Sequence, residues 1–173
     1  MQPLKIDDLF ARRSVRAYTN EPVTDQQVQT LLQAAMAAPS AGNRKPWHFI
    51  VVRDRGVLAA LAKAHPYAKM LPSAPVCFVP CGDPSLSFPG ALDFWIQDLA
   101  AACENLLLAA TALGLGGVWC GVYPVAERVQ AARAILSIPE GVVPLCFMPV
   151  GHPAEAPQPR TQFDATRVHW GKW

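Results

Sequence analysis

A basic segment near the N-terminus has the residue types that bind phosphate. Arg12, Arg13, Ser14 and Arg16 lie in the run RRSVR and offer three guanidinium groups and one hydroxyl over five residues. Guanidinium groups bind phosphate oxygens through charge-assisted hydrogen bonds, often two at a time. Arginines also complement the dipole at the C-terminal end of a helix. The segment alone therefore leaves two interpretations open, a phosphate site and a solvated helix end.

A second chemically rich segment connects a helical pattern to a β-branched run. The connector PSAGNRKPWHF, residues 39–49, has the Gly, Pro, Ser and Asn of a turn, but it also carries Lys45, Trp47 and His48. Taken alone, it is a structured loop with a tryptophan anchor. We expect His48, inside an apolar strand, to be a core histidine rather than a catalyst.

The sequence gives little support for a catalytic nucleophile, a metal site or a nucleotide-binding loop. No Walker loop occurs, and ALGLGG, residues 112–117, lacks the preceding strand of a dinucleotide-binding fingerprint. Cys120 stands in a glycine-rich turn, yet a lone cysteine there is more often a small buried apolar residue than a nucleophile. The five cysteines show no repeated metal-ligand spacing and are expected to be reduced, buried thiols. The histidines outside the connector are isolated in sequence: His65, His152 and His169.

Composition narrows the class of partner. The net charge of +2 is too small and scattered for a nucleic-acid footprint or a polybasic membrane anchor, so small molecules are the expected ligands. Hydrophobic residues make up 51% of the chain and charged residues 16%, a surplus that a subunit interface would bury. Acidic side chains within the apolar segment 92–115 disfavour a membrane span. The N-terminus has no apolar signal core, which predicts a cytoplasmic protein.

Periodicity predicts alternating helices and strands. A short helix starts at Asp7 or Asp8 and runs through Arg13, and a capping box at Thr24–Gln27 opens a second helix that Pro39 stops. Further elements are expected at Trp47–Val52 (strand), Val57–Ala64 (helix), Pro75–Cys81 (strand, with Pro80 near its end), Leu92–Leu113 (long central helix), Val118–Val122 (short strand or extended turn), Val125–Leu136 (helix) and Val142–Val150 (strand).

These elements predict one α+β domain over residues 1–173, with 152–173 as an extended C-terminal tail. The glycines that follow the long helix, Gly114, Gly116 and Gly117, would end it and allow close backbone approach. The tail is rich in proline until its aromatic end. We expect it to lie across its own subunit or a partner subunit, with Trp170 and Trp173 as apolar anchors.

In chain order, four segments resemble the FMN-dependent nitroreductase family. RRSVRAY is similar to the family's flavin-phosphate motif, and AAMAAPSAGNRKPWHFIVV to its second motif. QDLAAACENLLLAATALGLGGVWCG is similar to its central helix and flavin-contact turn, and VGHPAE to its C-terminal strand exit. The resemblance spans nearly the whole chain. It implies a nitroreductase-like fold: a central mixed or antiparallel sheet surrounded by helices, a long buried central helix, and an interlocked homodimer with FMN at its interface.

The resemblance also assigns roles to residues. Arg12 and Ser14, with Arg13 beside them, would hold the FMN phosphate of their own subunit, and Arg16 would lie near the pyrimidine edge and ribityl chain. The loop residues Pro39, Ser40, Ala41 and Asn43 would contact the partner's FMN. Backbone amides at Cys120 and Gly121 would meet the flavin near N5 and O4, where many relatives carry an acidic residue instead of cysteine. Of the tail's basic pair in relatives, only Arg160 is present, since Gln162 replaces the second; Lys69 is a weaker candidate.

The implied activity is that of an FMN-dependent NAD(P)H oxidoreductase. Hydride would pass from NADH or NADPH through FMN to a nitroaromatic, quinone or similar small acceptor in a ping-pong sequence. The flavin supplies this chemistry, so no catalytic side chain is expected. The alternative is a flavin-binding dimer with a non-reductase role, either a flavin-processing enzyme of the same fold or a regulatory or flavin-storage protein.

Overall fold

The computed structural model describes residues 5–155 and 158–173, so residues 1–4 and 156–157 of the predicted domain and tail lie outside the described residues. Its helices are Ile6–Ala11 (α1), Asp25–Met36 (α2), Arg55–Lys63 (α3), Phe94–Ala112 (α4) and Ala126–Leu136 (α5). Its strands are Trp47–Val52 (β1), Val76–Gly82 (β2), Gly116–Gly117 (β3), Cys120–Gly121 (β4), Val143–Pro144 (β5) and Cys146–Gly151 (β6). Within the described residues, no helix is long and apolar enough to cross a membrane.

The strands form one antiparallel sheet with helices on both faces. The order is β1-β2-β6-β3, with β4 added to β6 and β5 added to β2. Helices α2 and α4 cover one face around Phe78 and Met148, and α3 and α5 cover the other around Val79 and Phe147. Because side chains alternate across a strand, neighbouring residues of β2 and β6 supply both cores. The predicted α+β class is confirmed.

Pro80 lies near the end of β2, as predicted, two residues before Gly82. It stands opposite Phe49 of β1, and its carbonyl accepts a hydrogen bond from the Leu145 N–H at 2.9 Å. In an antiparallel pair, one residue's N–H and C=O point toward the same neighbour. The missing N–H of Pro80 therefore faces Leu145, where β6 ends and β5 begins on that side of β2. The gap between the two partner strands explains how a central strand accommodates proline.

The local signals of α2 are confirmed and those of α1 are partly wrong. Thr24 and Gln27 form both bonds of the predicted capping box. Helix α1 ends at Ala11 instead of continuing through Arg13, because Arg12 leaves the helical region with φ −58° and ψ 121°. The arginines after it therefore lie on extended chain and not on a helical turn.

The C-terminal tail departs from the sequence prediction in its aromatic end. Trp170 is 92% exposed and Trp173 101% exposed, so neither anchors the tail to its own subunit. The tail does return to the N-terminus, since the Arg160 N–H donates to the Phe10 carbonyl at 3.2 Å. The other alternative, that Trp170 and Trp173 anchor the tail on a partner subunit, stays a prediction.

Candidate flavin site

The basic N-terminal segment lies along the sheet next to β3. Ser14 and Gly117 form a parallel bridge, and the Val15 N–H donates to the Gly117 carbonyl at 3.0 Å. A Cβ at Gly116 would stand 2.5 Å from a methyl carbon of Val15. The Tyr18 hydroxyl, close to the Val15 carbonyl at 2.8 Å, adds a second contact to the same segment. Gly116 is therefore required for the segment to approach the sheet.

An ion pair and two hydrogen bonds tie α4 and the tail to the N-terminal segment. Arg12 pairs with Glu104 of α4, with Nε 3.3 Å from Oε1. Arg13 donates to the backbone carbonyl of Gln158, which brings the tail against the segment. Arg160 follows two residues later, with its backbone bonded to α1. The structure thus brings Arg160 to the N-terminal arginines although about 150 residues separate them in sequence.

The predicted Cys120–Gly121 turn is strand β4 in the structure, and it lies beside the N-terminal segment. Its cysteine is not activated as a nucleophile. Burial raises the pKa of the Cys120 thiol to about 11, an effect that the nearby positive charge of Arg16 partly offsets. A thiol with that pKa stays protonated near neutral pH, so Cys120 is not an activated nucleophile. A Cβ at Gly121 would meet nothing within 4 Å. The turn therefore presents an open backbone face rather than a reactive side chain.

Two side chains that the sequence left unassigned support this turn from behind. The Gly121 carbonyl lies 2.7 Å from Nε2 of His65 and accepts a hydrogen bond from Nη1 of Arg128 at 2.9 Å. His65 is 1% exposed and comes from the loop after α3, whereas Arg128 comes from α5. Neither residue has a sequence signal, because the pairing joins positions 56 and 7 residues from Gly121.

The 39–45 loop is a separate part of the candidate site and has an unusual backbone conformation. Gly42, Asn43 and Lys45 all have positive φ, at 57°, 55° and 53°. Such values favour glycine and asparagine and cost other residues energy. The Ser40 hydroxyl accepts the Lys45 N–H at 2.9 Å, and Trp47 behind the loop is buried. The predicted tryptophan anchor is confirmed.

A buried carboxylate of α4 holds the loop. Oδ1 of Asp98 accepts the Ala41 N–H at 2.9 Å, and Asp98 is only 6% exposed. Its Oδ2 is buried, and no protein group among the described residues donates to it. Asp98 lines a cavity of about 370 Å³ together with the loop and α4: Pro39, Ser40, Ala41, Phe94, Gln97 and Ala101. Sequence reasoning counted Asp98 only as a polar residue in an apolar helix and missed this role.

Comparison with known proteins identifies the fold that carries these features. The Nitroreductase family model matches residues 9–68 and 59–152. The chain belongs to the nitroreductase family. It is 46% identical to a proposed NADH dehydrogenase/NAD(P)H nitroreductase of Methanothermobacter thermautotrophicus, over 97% of this chain and 87% of that protein. The expected family membership, nitroreductase-like fold and oxidoreductase class are confirmed, whereas the interlocked homodimer stays a prediction.

Solved nitroreductase-family structures superpose on the whole chain. A proposed NADH dehydrogenase/NAD(P)H nitroreductase of Parabacteroides distasonis has a TM-score of 0.92 and 39% identity, covering 97% of this chain and 98% of its own. A proposed nitroreductase of Desulfovibrio desulfuricans, solved in complex with FMN, has a TM-score of 0.81 and 29% identity, covering 100% and 99%. The second of these places FMN within the same fold in a relative.

The predicted site residues of this nitroreductase-family chain fall into two groups. The first contains the N-terminal segment, the Cys120–Gly121 turn and Arg160; the second is the 39–45 loop. Helix α4 contacts both groups, through Glu104 and Asp98, which are six residues or about 9 Å apart along its axis. Lys69 is exposed on the loop whose Tyr67 carbonyl contacts the Cys120 thiol.

The prediction that His48 is a core histidine is wrong. The His48 side chain is exposed at the sheet edge, with Nε2 3.9 Å from Oδ2 of Asp83. Strand β1 pairs only with β2, so one of its edges lacks a covering strand among the described residues.

Proposed function

We propose that this chain is an FMN-dependent NAD(P)H oxidoreductase that reduces a nitroaromatic, quinone or similar small acceptor. The observation that carries the proposal is that Ser14 pairs with Gly117, four residues before the open backbone at Gly121, while the backbone of Arg160 is bonded to Phe10 near Arg12. Hydroxyl and guanidinium groups suit a phosphate, and an open backbone suits the planar edge of a flavin. The name of the Methanothermobacter relative and the FMN complex of the Desulfovibrio relative agree with this cofactor and co-substrate.

The residues present fit FMN. Guanidinium groups at Arg12 and Arg160 and the Ser14 hydroxyl suit a phosphate, and the backbone at Gly121 is open because no Cβ or neighbouring atom covers it. Asp98 lines the cavity beside the loop, and its buried Oδ2 receives no donor among the described residues. A buried carboxylate oxygen without a donor is costly, which favours a donor supplied by the bound cofactor or by the partner subunit.

When bound, FMN accepts two electrons from NAD(P)H and passes them to the acceptor. The protein's part is binding and placement. Arg12, Arg13, Ser14 and Arg160 would hold the phosphate, Arg16 would set positive charge near the pyrimidine edge, and the amides at the Cys120 turn would fix the reactive edge. None of these side chains needs to exchange a proton, in keeping with the high pKa of the Cys120 thiol. Lys69 would be a further cation at the rim.

The two groups of site residues imply a homodimer in this proposal. No hydrogen bond or ion pair links the 39–45 loop directly to the N-terminal segment among the described residues. An interlocked pair would place each loop, with Pro39, Ser40, Ala41 and Asn43, on the partner's cofactor. Exposed apolar side chains on α1 and in the tail give such a pair surface to bury: Ile6, Leu9, Phe10, Phe163, Val168, Trp170 and Trp173.

The test is an anaerobic absorption titration of the purified protein with NADH and then NADPH. We expect flavin absorption that bleaches with at least one nucleotide and returns when a quinone or nitroaromatic is added. A protein that binds FMN without bleaching would support the flavin-storage alternative, and loss of flavin with new products under oxygen would support flavin processing. A protein that neither contains nor binds FMN would contradict the proposal.

Two variants test the site assignment. Replacing Arg12 by Ala removes one expected phosphate ligand and should weaken FMN binding about tenfold or more, since a charge-assisted hydrogen bond contributes about 1.5–3 kcal/mol. Its ion pair with Glu104 is partly exposed, so the free energy of unfolding should change by less than about 1 kcal/mol. Truncating Asn43 should also weaken FMN retention. Unchanged FMN affinity in both variants would contradict the assignment.

A further inference from the structure

The Gly121 carbonyl has an unusual environment for a glycine turn. Glycine is conformationally permissive, so a Cys-Gly turn held only by strand pairing could present its backbone in several ways. Here the Gly121 carbonyl receives two side-chain donors from different elements, His65 at 2.7 Å and Arg128 at 2.9 Å. His65 is buried and Arg128 is partly buried, whereas a Cβ at Gly121 would meet no atom within 4 Å. The carbonyl is therefore tied to the protein, while the space beside the Gly121 α-carbon is open to a ligand.

The hydrogen-bond pattern assigns the state of His65. Its Nδ1 accepts the Tyr67 N–H at 3.2 Å, so Nε2 must carry the hydrogen that it shares with the Gly121 carbonyl. The 3.4 Å separation between Nε2 of His65 and Nη1 of Arg128 is then a contact between two donors that share one acceptor. This arrangement uses a neutral imidazole, so Arg128 supplies the positive charge of the cluster.

The charge of Arg128 is not neutralised nearby. No carboxylate among the described residues lies within 4.0 Å of its guanidinium. Instead, the guanidinium carbon lies 5.8 Å from the ring centre of Tyr67, a cation–π arrangement. A partly buried cation without a counter-ion acts strongly on charge that develops close to it. One peptide group separates this cation from the open face of the turn.

We propose that Arg128, supported by His65, is a positioning residue for the flavin and that its charge favours the reduced cofactor. The proposal rests on the function proposed above and names the residues that tune the same site. The guanidinium fixes the Gly121 carbonyl and so orients the backbone that would meet the flavin. Its positive charge also stabilises the anionic reduced flavin more than the neutral oxidised one, which raises the reduction potential.

The chain offers a matched control on the same helix. Within the part of the chain that the structure describes, Arg133 of α5 likewise donates only to backbone carbonyls, to Val142 at 2.8 and 3.1 Å and to Glu140. Arg133→Met therefore removes an arginine with the same kind of partner away from the turn. Arg128→Met removes both the positive charge and the guanidinium N–H donors at the turn. Arg128→Lys restores the charge but not the planar guanidinium.

The experiment measures the FMN reduction potential and the dissociation constants of oxidised and reduced FMN. We expect Arg128→Met to weaken reduced FMN at least tenfold more than oxidised FMN, which for two electrons is a shift of about 30 mV to lower potential. Arg128→Lys should recover most of the potential. Arg133→Met should lower the thermal midpoint and leave the reduction potential unchanged. If the role of Arg128 were only structural, Arg128→Met would give that same pattern.

The outcomes separate this inference from the proposed function. If the unmodified protein does not bind FMN, the proposed function fails and this inference fails with it. If the unmodified protein binds FMN and Arg128→Met has the same potential, only the inference is overturned. Should Arg128→Met not fold, Arg128→Lys and Arg128→Gln give the same comparison of charge, because both keep a donor. A lower potential in Arg128→Gln than in Arg128→Lys supports the inference, and equal potentials overturn it.

Discussion

The 39–45 loop and the 158–173 tail are both irregular, yet their own chain holds them very differently. The loop has positive φ at three residues, an internal Ser40–Lys45 bond, a buried tryptophan behind it and the Asp98 carboxylate beneath it. Every residue of the tail is exposed, and among the described residues its hydrogen bonds to the rest of the chain are those with Phe10 and Arg13.

The difference teaches that the chain preorganises one part of the candidate site and leaves another part to be completed. Fixing a loop in a strained conformation costs free energy, and such strain is often found at functional sites. A segment with several exposed aromatic side chains gains little from ordering until something covers them. Two predictions test this contrast, and a third concerns the buried interior that supports both segments.

The largest effect is expected in the tail. Replacing Trp170 and Trp173 together by Ala removes two exposed indoles, and buried interface tryptophans each contribute about 2 kcal/mol or more. We expect the affinity of the proposed homodimer to fall by at least about a hundredfold. The fold of the single chain should persist, because the Trp173 ring packs against the ring of His169, which is itself exposed. Sedimentation and circular dichroism measure these two quantities, and unchanged self-association would break the contrast.

A smaller effect is expected at the carboxylate under the loop. Asp98→Ala leaves the Ala41 N–H without its acceptor and should lower the free energy of unfolding by about 1–3 kcal/mol. FMN affinity should fall about tenfold, because the loop loses its conformation. Asp98→Asn keeps an oxygen for Ala41 and should lie closer to the original protein in stability. Denaturant unfolding and FMN titration give the two numbers.

Asn105 provides the control for this prediction. It lies on the same helix and donates to the Ala34 carbonyl at 3.1 Å, away from the loop. Asn105→Ala should lower stability without changing FMN affinity. Equal losses of FMN affinity in Asp98→Ala and Asn105→Ala would show that the loop is not specifically held by Asp98.

The smallest effect concerns alkaline pH and the buried interior. Burial raises the pKa of Cys120 to about 11 and of Cys81 to about 12, whereas unfolded thiols titrate near 8.5. Stability from these thiols is fully present below pH 8.5. It is lost as pH rises through the folded values, because the unfolded state releases its protons first. Unfolding measured at pH 7 and pH 10 should show the decline, and Cys120→Ser should reduce it.

The agreement between sequence and structure follows the range of the interactions. The Thr24–Gln27 capping box and the strand Trp47–Val52 were predicted correctly, because both depend on residues close in sequence. The end of α1 was predicted wrongly. Val15 bonds to Gly117 of the sheet, about 100 residues later in the sequence, and this contact requires an extended chain after Ala11. His48 was misassigned because an apolar strand can lie at a sheet edge.

The sequence by itself determined the segments, their order and the family, and through the family the expected cofactor residues. Local propensity, capping and the four ordered motifs carry that information in neighbouring residues. Only the tertiary structure decided which side chains stand behind those residues. Asp98 under Ala41, and His65 with Arg128 behind Gly121, are chosen by packing between distant elements, and a hydrogen bond between two positions 56 residues apart leaves no periodic trace in the chain.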